Sequence, residues 1–333
     1  MPPLHSLIIL LSLVSLTCLT GVGQVHASQG SAEGTFDWWT PSYLADYALL
    51  AGGYATYKIG GATDARSRAL IGPSYDPQNP QALFDFSAVA APYRDEGHGE
   101  TVPTIWIYRL ITLGAVSVGG IEAVEWGAGR GSMHQFHDTF VGYAESVVLT
   151  AAITEVSKPL VGRLRPDFGE RSRRHHCAME PDLLGDHCRG YTGRPLHEDP
   201  QIAQEILDDG RRSFISGHSS HSFSLFGYTA LVIGGRYVWG QDASDRSQLA
   251  GLAAQSALMG AASYVTFSRI HDGRHHLTDV IAGILVGTAA ANLAYWRRFD
   301  RQGGLRNAEG AAMQHQTLQT TPPYLGLSWT FQR

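Results

Sequence analysis

Six apolar segments of helical length constrain this chain more than anything else in it. They are Tyr43–Lys58, Pro103–Glu122, Asp138–Val156, Ser220–Tyr237, Leu249–Phe267 and Thr278–Trp296. Each is too long for an ordinary strand, and none alternates polar with apolar residues, so each is expected to be a helix. Pro103 suits a first helical turn, and Asp138 and Thr278 are candidate N-caps. Many of the chain's 38 glycines sit beside alanine and serine in these segments. Such small residues suit closely packed helices, although an interior glycine costs about 1 kcal/mol relative to alanine. The expectation is all-α: a single helical-bundle domain of about six main helices over residues 41–300.

Whether that bundle crosses a membrane turns on its charges. Asp46, Arg109, Glu145 and Glu155 lie within the apolar runs, and each would cost about 2.5–3.5 kcal/mol at the centre of a bilayer. Mean hydropathy is only −0.11. Both favour a compact helical domain in the exported space, with membrane association left open. The alternative is an integral, six-span protein, because helices of about 18–20 residues fit a bilayer. A net charge of −5 with no basic run points to neither nucleic acid as a partner nor a polybasic membrane patch.

Residues 1–27 have the form of an export signal. Leu7 to Leu19 is an apolar run too short to span a bilayer, and Val25-His26-Ala27 offers small residues for cleavage. No Lys or Arg precedes the run; the alternative is an uncleaved anchor. A flexible lead-in, residues 28–40, follows. Export would place the protein in the periplasm or envelope, or, if integral, with its site on the exported side. Cys18 would leave with the signal, and Cys177 and Cys188 would remain. In an oxidising compartment that pair favours a disulfide over a zinc site with His175, His176 and His187, or two free thiols. Both cysteines lie in a polar insertion, 167–212, long enough to serve as a functional lid. A polar tail, 301–333, ends in a strand-like alternation, Leu325–Phe331.

Three blocks carry chemistry. In the first, Lys158 and Arg165 are seven residues apart, with Gly162 and Pro166 set to end a helix between or beside them. Arginine offers a planar fork and lysine a point charge to phosphate oxygens. In the second, Ser216-Gly217-His218 precedes an apolar helix, where backbone N–H groups at a helix start bind anions. In the third, Arg269 and His275 flank the turn signal Asp272-Gly273, so both can converge on one anion. Asp279 follows His275 by four residues, one helical turn, where its carboxylate could hold the Nδ1 proton and leave the other ring nitrogen as nucleophile. His271 and His276 are rivals with poorer spacing to Asp279.

Together the blocks resemble the type 2 phosphatidic acid phosphatase superfamily, whose pattern is K-x6-R-P, then P-S-G-H, then S-R-x5-H-x3-D. The wording of Arg212–Ser220 and Arg274–Val280 is most similar to the lipid phosphate phosphatase branch, and bacterial acid phosphatases and vanadium haloperoxidases are further relatives. The resemblance covers roughly residues 138–297. It implies His275 as a nucleophile forming a phosphohistidine, Asp279 as its orienter, and His218 as the acid that protonates the leaving alcohol and then activates water. Lys158, Arg165, Ser216, Gly217 and Arg269 would bind the phosphate. No metal and no other cofactor is implied. The implied substrate is a phosphorylated lipid such as phosphatidic acid. The alternatives are a polyprenyl diphosphate or a small phosphate ester, a haloperoxidase, or an inactive lipid- or anion-binding relative. Ile215 departs from the pattern, standing where the second block has proline.

Overall fold

The computed structural model describes residues 41–65, 68–76, 93, 101–103, 105–189, 191–240 and 243–306. The export signal, the lead-in and most of the tail lie outside the described residues. Nine α-helices occur among them: α1 Pro41–Ala62, α2 Ile105–Gly127, α3 Met133–Val161, α4 Phe168–Met179, α5 Pro181–Leu184, α6 Pro200–Asp209, α7 Gly217–Ile233, α8 Asp245–His271 and α9 Leu277–Arg298. No strand is present among the described residues; one isolated bridge joins Phe299 to Leu305. The fold is all-α.

The six expected segments correspond to α1, α2, α3, α7, α8 and α9. Their ends fall where capping chemistry puts them. Asp138 is not the cap of α3; Ser132 is, its side chain accepting from the Gln135 N–H at 3.1 Å. Asp138 lies one turn inside, buried against His137 at 3.0 Å. Thr278 likewise gives way to His276, whose backbone N–H donates to Asp279 in a capping box. At its other end α3 stops at Gly162, which has φ +63° and donates its N–H to the Lys158 carbonyl at 3.0 Å.

Helix α7 is the centre, packed against α2, α3, α8 and α9. Its contact with α9 is a backbone approach: a Cβ on Gly283 would stand 2.8 Å from the Ser216 carbonyl oxygen, and one on Gly287 only 2.1 Å from that of Ser220. Its contact with α3 is hydroxyl-rich, with Ser146 on Ser224 at 2.5 Å and Thr154 on Ser220 at 2.9 Å. Small residues and side-chain hydroxyls of this kind hold helices together where apolar burial alone gives little.

Helices α2, α3 and α9 are long and apolar enough to cross a membrane. Of the charges that argued against spans, the three carboxylates are paired with arginines, while Arg109 is exposed. Asp46 meets Arg298 at 2.9 Å, Glu145 meets Arg297 at 2.9 Å, Glu155 meets Arg212 at 3.2 Å, and Arg109 lies over the Trp106 ring of its own helix. The insertion folds into α4, α5 and α6, with Phe168, Ala203 and Leu207 buried in one cluster with Tyr75, Tyr93, Leu164 and Leu196. Cys177 and Cys188 are joined by a disulfide with Cα atoms 5.3 Å apart, so they are not zinc ligands.

Candidate active site

Three chain breaks between helices meet at one place: the turn after α3, the approach to α7, and the turn from α8 into α9. They are stitched by backbone. Arg165 N–H donates to the Gly210 carbonyl at 2.8 Å, Ser213 N–H to Arg163 at 2.9 Å, and Ser216 N–H to Asp279 at 3.1 Å. His276 Nε2 meets the Leu164 carbonyl at 3.0 Å, which turns it away from the chemistry. His271 is spent on Asp272 at 3.2 Å and is more than half exposed.

The expected site residues converge here. Lys158 stands in the last turn of α3, its Nζ 3.7 Å from where a Cβ would sit on Gly217. Gly217 opens α7 without a side-chain cap from Ser216, so the leading N–H groups of the helix face outward for an anion. Ser216 is fully buried, its hydroxyl taken by Ser219 at 3.0 Å. Ile215, also buried, fills the departing position without removing a polar group. Arg269 is buried and donates to Asp272 at 2.9 Å, and Asp272 is itself held by the Thr101 N–H and hydroxyl at 2.9 and 2.8 Å.

The two histidines differ in their partners. His275 Nδ1 lies 2.8 Å from the Ser213 carbonyl oxygen. Only a protonated Nδ1 can bond a carbonyl, which leaves Nε2 with its lone pair. The expected hydrogen bond from His275 to Asp279 is not made; the separation is 3.9 Å. Asp279 is committed instead to Ser213 Oγ at 2.6 Å, His276 N–H at 3.0 Å and Arg163 at 2.6 Å. His218 is buried, and its Nε2 has no partner. Burial, then the charges of Arg165, His218, Lys158 and Arg269, hold His275 well below the usual 6.5. Burial, followed by Arg269, Arg165, His221 and Lys158, does the same to His218. Both therefore favour the neutral form near pH 7.

Sequence reasoning missed the groups behind the expected residues. Each cation expected to bind phosphate has a carboxylate partner: Glu155 for Lys158, Asp209 for Arg165 at 2.9 Å, and Asp272 for Arg269. Glu155 and Asp272 stand three residues from their cations, a spacing that could have revealed them. Asp209, Arg163 and Ser213 had no such signal.

Residues 139–302 match the PAP2 superfamily. That stretch, about half of the chain, belongs to the superfamily. Its PAP2 relatives include lipid phosphate phosphatase 2 of Arabidopsis thaliana, 32% identical over 170 residues, covering 51% of this chain and 54% of the relative. Phospholipid phosphatase 2 of Rattus norvegicus is 29% identical over 151 residues, covering 44% and 47%. A PA-phosphatase related-family protein of Dictyostelium discoideum is 24% identical over 273 residues, covering 81% and 84%. The chain thus spans about half the length of the first two. No solved structure matches it. All three chemical blocks fall within the PAP2 match.

Proposed function

We propose that this chain is a phosphatase that hydrolyses lipid phosphate monoesters, phosphatidic acid among them, through a phosphohistidine at His275. In the first step the Nε2 lone pair of His275 forms a bond to phosphorus as the bond to the ester oxygen breaks, and His218 gives that oxygen a proton. In the second, His218 takes a proton from water as the water oxygen attacks phosphorus, and the bond to His275 breaks to release phosphate. Lys158, Arg165, Arg269 and the Gly217 N–H hold the three non-bridging oxygens, where transition-state charge gathers. A bound phosphate offsets the cations that depress both histidines, so substrate itself raises His218 toward the protonated state that step one requires.

One observation carries this reading. A buried histidine whose Nδ1 is held by a backbone carbonyl lies within electrostatic reach of three cations and of a second buried histidine, whose Nε2 has no partner. Three side-chain cations already compensate the phosphate, so the reaction is metal-independent in this proposal. A lipid substrate is supported by the relatives' names and by the position of the site. Lys158 lies three residues from the end of α3 and Asp279 two from the start of α9, so the site sits at one end of two potential spans. The disulfide in the adjoining insertion supports that end facing an oxidising, exported compartment.

The test is phosphate release by purified protein in detergent and EDTA, from phosphatidic acid, a polyprenyl diphosphate and p-nitrophenyl phosphate. Phosphatidic acid should be hydrolysed fastest, with no divalent ion added. Release only after a divalent ion is restored would overturn metal independence, and release from none of the three would overturn the phosphatase. Halide oxidation with added vanadate would move the chain to the haloperoxidases.

A further inference from the structure

Behind the site runs a line of alternating charges. Arg165 donates to Asp209 at 2.9 Å, and Asp209 also takes Arg171 at 3.3 Å. Arg171 donates to Asp167 at 3.1 Å, and Asp167 takes Arg274 at 3.3 Å. Arg274 is the residue before His275. The line therefore begins on a phosphate-facing arginine and ends beside the nucleophile. Arg171, Asp167 and Arg274 are essentially inaccessible to solvent. The Tyr93 ring covers two of the guanidiniums, at 4.7 Å from Arg171 and 5.2 Å from Arg274.

Two details give the line a direction. Arg165 spends one terminal nitrogen on Asp209, while its Nε is buried without a partner. Its guanidinium is thus held through Nη2 by Asp209, with N–H donors left over that the described residues do not take up. The Asp209 side chain is 40% exposed. Desolvation would raise its carboxyl, but Arg165, Arg171, Lys158 and Arg274 outweigh that and hold it at about 2. It therefore stays charged at every working pH. Arg171 also donates to the Ile206 carbonyl at 2.8 Å, one turn before Asp209, tying α4 to the end of α6.

We infer that Asp209 and Arg171, both contributed by the 167–212 insertion, are positioning residues that aim Arg165 at the substrate phosphate. On this view the insertion is part of the phosphate site, and its sequence tunes affinity for the phosphate group rather than for the lipid tail. The inference rests on the phosphatase reading.

A double-mutant cycle on the full chain in detergent tests it, with orthovanadate as the probe. Wild-type turnover comes first, because its absence would refute the phosphatase reading without bearing on Asp209. Given turnover, Asp209→Asn should raise KM and weaken vanadate inhibition by on the order of tenfold to a hundredfold, the effect of losing a charged hydrogen bond. Asp209→Glu should recover part of it. Arg165→Ala should make the Asp209→Asn change nearly silent, because both act through one guanidinium. Additive effects with unchanged vanadate inhibition would reduce Asp209 to a structural role and overturn the inference. Tighter vanadate binding in Asp209→Asn would overturn it too, by showing that Asp209 competes for Arg165. Should Asp209→Asn not fold, Asp209→Glu and Arg171→Lys, each crossed with Arg165→Ala, carry the same cycle.

Discussion

His275 and Asp279 are joined through Ser213, which uses both of its oxygens. Its carbonyl accepts a hydrogen bond from His275 Nδ1–H, and its hydroxyl donates to Asp279. The carboxylate therefore orients the histidine at one remove, by fixing the residue that holds it. Ser213→Ala keeps the carbonyl but frees the segment that carries it. It should lower kcat about tenfold, the worth of one hydrogen bond of about 1–1.5 kcal/mol, with little change in KM. His275→Ala should leave no more than a trace of turnover and no labelled phosphoenzyme. His276→Ala, which loses only a contact to the Leu164 carbonyl, should keep most activity; the reverse result would move the nucleophile by one position. Local motifs made His218, His275 and the three cations legible, because each sits in a short run whose chemistry is particular to its side chain. Ser213 was illegible because its main contribution is a carbonyl, which every residue has. Asp209 was illegible because its partner Arg165 lies 44 residues away.

At the scale of elements, the site depends on how closely α9 lies on α7. Gly283 and Gly287 permit that approach, and Asp279 stands one turn before Gly283. Gly287→Ala places a methyl against the Ser220 carbonyl, an overpacking that should cost about 1–3 kcal/mol and push Asp279 away from Ser213. Thermal melts and turnover should therefore fall together. Gly260 in α8 has open space where its Cβ would stand, so Gly260→Ala should stabilise by up to about 1 kcal/mol without touching activity. The six long helices were readable from their apolar runs, and their ends less so, since Ser132 and His276 act as caps from outside those runs. Helix α4 was missed because charge and histidine dominate its sequence. Helix α6 was readable in retrospect: Asp199 caps it, Pro200 stands at its first position, and Ala203 and Leu207 form its buried face.

For the molecule as a whole, buried neutral histidines and exposed apolar faces each make a measurable demand. Burial is the main cause holding His175, His176, His218 and His275 below 6.5. Between the folded values and 6.5 the unfolded chain binds more protons, so stability rises with pH there and is lost as pH falls below about 6.5. Asp209, depressed from 3.8 to about 2, loses its contribution only at lower pH, which leaves pH 5 to 6.5 to the histidines. Melting temperature should drop across that window, and less steeply in His218→Asn. The exposed apolar faces suit a bilayer. Leu113 and Val116 on α2 are 54% and 65% exposed, and Leu277, Ile281, Leu285 and Leu293 line one open side of α9. Trp106 and Trp126, both near half exposed, stand twenty residues apart on α2. At 1.5 Å per residue that is about 30 Å, the thickness of a hydrocarbon core, and tryptophan favours its two boundaries. The protein should therefore stay in the membrane pellet through an alkaline carbonate wash and leave it only with detergent. In reconstituted vesicles, single-tryptophan variants retaining Trp106 or Trp126 should be quenched best by lipids brominated near the headgroup. Release into carbonate as an active soluble protein, or deepest quenching at mid-bilayer for both, would remove α2 from the membrane.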